Sequence, residues 1–205
     1  MNEPSLRERN KQEKLQRIKT SAKQLFEDEG FDATTTRKIA KRAEVGLATL
    51  FLYASDKRDL LFLVCNDGLY KLSDDAFADV PLGASLIDQL TIVFRHFFIH
   101  HAQNKRLSRD LLRELTFYDD GMNSERFHQV RRQNINRIQQ MIADAKKSGA
   151  INTDSSEDTI ARMIFYILAS ELRRWLSIDG TTPEAGVQEL RSMMLILIEG
   201  LNPSY

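Results

Sequence analysis

The sequence predicts an all-α fold, and three observations predict it. Apolar residues recur at three- and four-residue steps in one segment after another. No run alternates with period two for long enough to form a strand. Nine Gly and four Pro in 205 residues are too few for a turn-rich sandwich or barrel. About nine helices are expected, three short ones in the first fifty-odd residues and six longer ones after them.

In chain order, Leu15, Ile18, Ala22, Leu25 and Phe26 mark the first helix, with Gly30 as its C-terminal cap. Thr34, Thr35 and Thr36 offer N-cap hydroxyls to a short helix carrying Ile39, Ala40 and Ala43 inward. Glu44-Val45-Gly46 forms a tight turn into a second short helix, Leu47 to Tyr53. Leu60, Leu61, Val64, Leu69 and Leu72 carry a longer helix to the break at Pro81-Leu82-Gly83. Leu86 to Ala102 follows, then Leu107, Leu111, Leu112 and Leu115, stopping near Asp119-Asp120-Gly121. Phe127 to Ser148 is next, closed by Gly149. Asp154-Ser155-Ser156 opens the eighth helix, with a capping box expected from Ser155 to Asp158. Thr182-Pro183-Glu184 places a cap, a first-turn proline and a first-turn acid before the last helix, which ends at Gly200.

Composition narrows the function classes. Twenty-nine Lys and Arg balance twenty-nine Asp and Glu, which excludes a globally basic coat and an acidic tail. The balance is uneven along the chain: residues 1–60 hold thirteen basic and ten acidic side chains, +3, and the remainder carries −3. A basic head on an acidic body fits a DNA-reading module joined to another domain. One cysteine, Cys65, permits no internal disulfide and no thiolate cluster, and a buried inert thiol is expected there. The N-terminus is too charged for a signal peptide and the apolar runs are too interrupted for a membrane span, so a cytoplasmic protein with no membrane partner is expected.

Enzyme and cofactor motifs are missing from the sequence: no G-x-S-x-G elbow, no phosphate loop, no dinucleotide glycine pattern and no H-E-x-x-H. Glu125 and His128 fit one Glu-x-x-His step, but a di-iron bundle needs two such pairs. His96 and His100 lie four apart without a carboxylate on the same turn, so a polar helix edge is expected rather than a metal. No catalytic residue, cofactor or metal is assigned.

Residues 34–61 stand out. Two short helices joined by a tight turn, after a longer helix and before another, outline a helix-turn-helix. Thr35-Thr36-Arg37-Lys38-Ile39-Ala40-Lys41-Arg42-Ala43, Val45, Thr49-Leu50-Phe51-Leu52-Tyr53 and Lys57-Arg58-Asp59-Leu60-Leu61 resemble the signature of tetracycline-repressor-like (TetR) regulators. Leu25-Phe26 and Gly30-Phe31-Asp32-Ala33-Thr34 resemble the end of that family's first helix. Glu44 departs from the pattern, standing where Gly is usual, and so do Gly46, Ala54 and Asp56.

The residues give a consistent interface. The threonines at a helix N-terminus, with Thr35 and Thr36 leading, are suited to a DNA phosphate. Arg37 is suited to a guanine edge. Leu47 and Ala48 allow close approach to bases, and Thr49, Tyr53 and Lys57 suit phosphate contacts. Leu50 is expected in the core; Phe51 divides between core and groove, and Leu52 stays open between them. The basic stretch Arg7 to Lys19 is either a DNA-contacting arm or a solvated terminus.

The resemblance implies a three-helix DNA-binding domain over residues 1–58 and a six-helix effector-binding and dimerisation domain over 59–205. It also implies a homodimer whose last two helices form the seam. Met163, Tyr166, Ile167 and Trp175 on one helix, and Leu190, Met193, Met194 and Leu197 on the other, are expected there. Aromatic residues in the body suggest an apolar effector site: Phe62, Phe94, Phe97, Phe98, Phe117 and Phe165, with His96, His101 or Arg113 meeting a polar end. Ordinary core packing is the alternative for each. The expected function is a transcriptional regulator, a repressor released from a palindromic DNA operator by a small, mostly apolar ligand. A non-inducible or protein-controlled DNA-binding protein stays open beside it, as does a helical enzyme or carrier.

Overall fold

The computed structural model describes residues 5–114, 118 and 121–200. Among them stand nine helices and no strand: α1 (Leu6–Asp28), α2 (Thr36–Arg42), α3 (Leu47–Leu50), α4 (Lys57–Ala78), α5 (Leu86–Ala102), α6 (Lys105–Glu114), α7 (Ser124–Lys147), α8 (Glu157–Ser177) and α9 (Pro183–Gly200). The all-α expectation holds, with local differences. The first helix is long, because Ser5 and Glu8 form a reciprocal capping box that starts it before the basic stretch. Arg7 to Lys19 is thus helical rather than an unstructured arm. The cap of α8 is Ser156, one residue past the expected Ser155. Its hydroxyl accepts from the Thr159 amide and meets the Thr159 hydroxyl, so no acidic capping box forms. The expected stop at residues 119–120 lies outside the described residues.

By compactness the chain falls into two units, residues 1–68 with 106–128, and residues 69–105 with 129–205. In the first unit, Ile18, Ala22, Leu25 and Phe26 of α1 are buried with Ile39 and Ala40 of α2 and with Leu50 of α3. Thr34 is buried with them, its hydroxyl donating to the carbonyls of Leu25 and Gly30. It therefore ties α1 to the start of α2 and does not face a phosphate. In the second unit, α9 packs against α5 and α8. The Phe98 ring meets Trp175 edge-on at 5.2 Å, and the backbone of Gly186 fits against both, where an added Cβ would lie 2.3 Å from Phe98. Trp175 Nε1 donates to the Thr182 carbonyl at 2.9 Å, while Lys105 Nζ lies 4.2 Å above its ring.

Candidate nucleic-acid interface

The turn between α2 and α3 is built without glycine at its critical position. Glu44 adopts φ 52°, and the chain closes by Glu44 N–H donating to Lys41 O and Val45 N–H to Ala40 O. That pair of bonds is a full Schellman closure, which glycine usually makes at no steric cost. The turn forms here regardless. Arg17 reaches the Glu44 carboxylate at 3.4 Å on the surface.

Around this turn the sequence-derived residues separate by exposure. Thr35 caps α2, its hydroxyl accepting from Lys38 N–H, and is exposed; Thr36 is half-buried and Arg37 exposed. Ala48 is exposed, with Leu47 and Thr49 half-buried. The regular helix ends at Leu50, and hydrogen-bonded turns carry the chain through Tyr53. Leu50 is fully buried, whereas Phe51 and Leu52 stand 41% and 72% exposed. Two large apolar side chains beside the turn thus face outward, away from the core.

Two expected phosphate ligands have structural work. Tyr53 donates its hydroxyl to the Lys11 carbonyl at 3.3 Å, joining α1 to the end of the recognition segment. Lys57 Nζ donates to the carbonyls of Phe31 (2.9 Å) and Asp32 (3.4 Å) and lies 4.3 Å above the Phe31 ring.

Sequence reading missed a cluster beneath this surface. Asp56 caps α4 by accepting from Asp59 N–H at 2.8 Å. The Asp59 carboxylate is itself fully buried and accepts four N–H donors: Ser55 N (2.8 Å), Met122 N (3.0 Å), Asn123 N (2.7 Å) and Asn123 Nδ2 (3.1 Å). Asn123 Nδ2 also donates to the Tyr53 carbonyl at 3.0 Å, and the Asn123 carbonyl accepts from Asn66 Nδ2 at 2.8 Å. Nearby, α6 is strapped to the segment after α1. Arg106 donates to the carbonyls of Asp28 and Glu29, Asp110 accepts from Phe31 N–H at 3.1 Å, and Arg113 pairs with Asp32 at 2.9 Å.

The expected effector residues divide between the two units. Phe62 is buried in the first, stacked on Tyr118 at 5.4 Å, with Phe127 edge-on at 5.7 Å. Arg113 belongs to the α6 strap in the same unit. Phe94, Phe97, Phe98 and His101 are buried in the second, and Phe165 is half-buried. His96 pairs its Nε2 with Asp79 at 3.0 Å. Burial, seconded by His100, pushes the His101 imidazole down to about 3, so its ring is neutral over the physiological range. Phe117 lies outside the described residues. Cys65 is half-buried rather than fully enclosed as expected, and desolvation still pushes its thiol up to about 12, leaving it unreactive near neutrality.

The expected seam needs correction. Trp175, Leu190 and Met194 are buried within the chain's own second unit, so they cannot meet a partner. Both faces of α8 and α9 are apolar, which hides the outward face from periodicity alone. Met163 and Tyr166 stand 44% and 53% exposed, with Ile167, Met193 and Leu197 half-buried.

A helix-turn-helix with an outward-facing apolar and basic surface, followed by a helical body, defines a DNA-binding regulator architecture. Residues 18–64 match the family model of bacterial regulatory proteins of the tetR family, and residues 83–198 match the tetracyclin repressor-like C-terminal domain. The chain belongs to the tetR family. An HTH-type transcriptional regulator of Staphylococcus aureus is 32% identical over 85 residues, which span 38% of this chain and 46% of that relative, less than half its length. The fatty acid metabolism regulator protein of Bacillus subtilis is 19% identical over 193 residues, covering 94% of this chain and 97% of the relative. Among solved structures, Thermus thermophilus FadR, a TetR-family transcriptional repressor in complex with lauroyl-CoA, superposes with a TM-score of 0.72 at 24% identity. It covers 93% of this chain and 96% of that one. This last likeness is one of fold.

Proposed function

We propose that the protein is a cytoplasmic, homodimeric transcriptional repressor that reads a palindromic operator and leaves it when an apolar ligand binds. Family membership supports the class. The observation that carries the DNA-reading role is the exposure of Thr35, Arg37, Ala48, Phe51 and Leu52 on the two short helices and the segment after them, while Ile39, Ala40 and Leu50 are buried. Arg37 supplies a two-pronged donor for a guanine edge, and Phe51 and Leu52 supply surface for thymine methyls. Met163, Tyr166, Ile167, Met193 and Leu197 supply the dimer seam. The protein needs no cofactor and performs no catalysis in this role. The names of the full-length relatives, one a fatty acid metabolism regulator and one bound to lauroyl-CoA, favour a fatty acyl thioester as effector.

The test is selection of an operator from random duplex DNA, followed by titration with salt and with lauroyl-CoA. A palindromic site, a steep salt dependence and release by lauroyl-CoA are expected. Arg37→Ala costs about 1–3 kcal/mol per half-site and relaxes one base position. Wild-type selectivity in that variant would remove Arg37 from the interface. Operator binding untouched by lauroyl-CoA or shorter and longer acyl thioesters would favour the non-inducible reading.

A further inference from the structure

Among the described residues, six hydrogen bonds converge where the recognition segment meets the turn before α7, and four of them cross from one family module to the other. Tyr53, Ser55 and Asp59 lie in the stretch matched by the N-terminal model, and Met122 and Asn123 in that matched by the C-terminal one. Both stretches sit in the same compact unit. The Asp59 carboxylate is fully buried, and its four N–H donors come from both modules. A buried carboxylate is stable only with such partners, so the loss of any one of them costs free energy. Asn123 is the branch point. Its side chain alone bonds both Asp59 and the Tyr53 carbonyl, one residue after the exposed Phe51–Leu52 pair. Its backbone carbonyl holds Asn66, two turns along α4 from Asp59. Gly121 lets this turn approach, since a Cβ there would stand 2.3 Å from Asp59 Oδ1.

We propose that Asn123 is the positioning residue that holds the recognition segment in its DNA-reading pose, and that effector control acts by breaking its bonds to Tyr53 and Asp59. The second clause rests on the ligand-responsive repressor reading; the first stands without it. A local contact suffices as a switch because two discrete states, bonded and unbonded, differ in the position of Tyr53 and therefore of Phe51 and Leu52.

The experiment compares full-length wild type with Asn123→Ala on the selected operator and on random DNA, each with and without lauroyl-CoA. Asn123→Ala is expected to bind operator about tenfold more weakly and random DNA within about twofold of wild type, because phosphate contacts survive while the base-reading pose is lost. Lauroyl-CoA, which releases the wild-type protein, should then weaken the variant's operator binding by no more than about twofold. Gly121→Ala presses on the same carboxylate from the other side. It should give the same pair of effects, and it decides the matter should Asn123→Ala fail to fold. Wild-type operator affinity in both variants would overturn the proposal. Weakened operator binding that lauroyl-CoA still reduces by the full wild-type factor would overturn the effector clause, and equal weakening on operator and random DNA would overturn the positioning clause. If lauroyl-CoA releases not even the wild type, the acyl-effector reading fails, and the operator-to-random ratio alone judges the positioning role.

Discussion

The two compact units are held by different physics. In the first, polar contacts reinforce an apolar core at the junctions between elements: Arg106 on backbone carbonyls, Arg113 on Asp32, Lys57 on Phe31 and Asp32, and a buried Asp59 with four donors. In the second, α5, α8 and α9 meet through Phe98, Trp175, Leu190 and Met194, with the bare backbone of Gly186 between rings. Hydrogen bonds are directional and short-ranged, so a polar junction depends on the exact placement of each partner. Aromatic packing at crystal-like density depends instead on leaving no voids. The first unit therefore depends more on the placement of individual polar partners, and the second more on the filling of space between rings.

The largest expected effect breaks the apolar side of that contrast. Trp175→Ala removes the edge-on partner of Phe98 and the bond to Thr182, and should cost about 3–5 kcal/mol in urea unfolding at fixed protein concentration. A loss below about 1 kcal/mol would mean that the second unit does not depend on this contact.

His101 is buried in the second unit, as are Ser73, Asn134 and Glu171, and its imidazole makes that unit sensitive to acid. Its folded pKa of about 3 lies below the ordinary 6.5, so the fold favours the neutral ring. Above pH 6.5 the stabilisation is fully present. As the pH falls from there towards 3, the unfolded chain takes up a proton that the folded chain refuses, and stability declines by about 1.4 kcal/mol per pH unit from this group. The loss is about 2 kcal/mol at pH 5. His101→Leu should flatten that part of the stability–pH profile; an unchanged slope would assign acid sensitivity to other groups.

The smallest effect sharpens the polar side. Glu44→Gly removes a left-handed strain and sacrifices only a surface contact with Arg17. It should raise stability by about 1 kcal/mol and leave operator specificity intact. Lower stability would mean that Glu44 contributes more to the turn than its backbone geometry indicates.

Much of the fold was legible because α-helical periodicity and N-cap chemistry are local. Ile39 and Leu50 reveal a core, and Thr182-Pro183-Glu184 a helix start, within a few residues of sequence. Which face of α8 and α9 looks outward was not legible, since apolar residues such as Trp175 and Met163 occupy both. Thr34 reads as one more capping hydroxyl beside Thr35, yet it bonds back to Leu25 and Gly30 and is buried. The Asp59 cluster was invisible for a different reason. Its partners Met122 and Asn123 lie more than sixty positions away, and Asp59 alone is an ordinary acid near a helix start.

Gly30 shows how such long-range contacts limit the substitutions open to a lineage. Its φ of +86° disfavours any side chain, and a Cβ there would also fall 2.1 Å from the Arg106 guanidinium. The guanidinium can swing aside, but only by leaving the Asp28 and Glu29 carbonyls it satisfies at the end of α1. Shortening residue 106 would free the space and not the backbone angle, while a turn of different shape would relieve the angle and misplace the carbonyls. No single step away from glycine is neutral, and no one compensating change makes it so. Position 30 is therefore expected to stay glycine whatever stands at position 106.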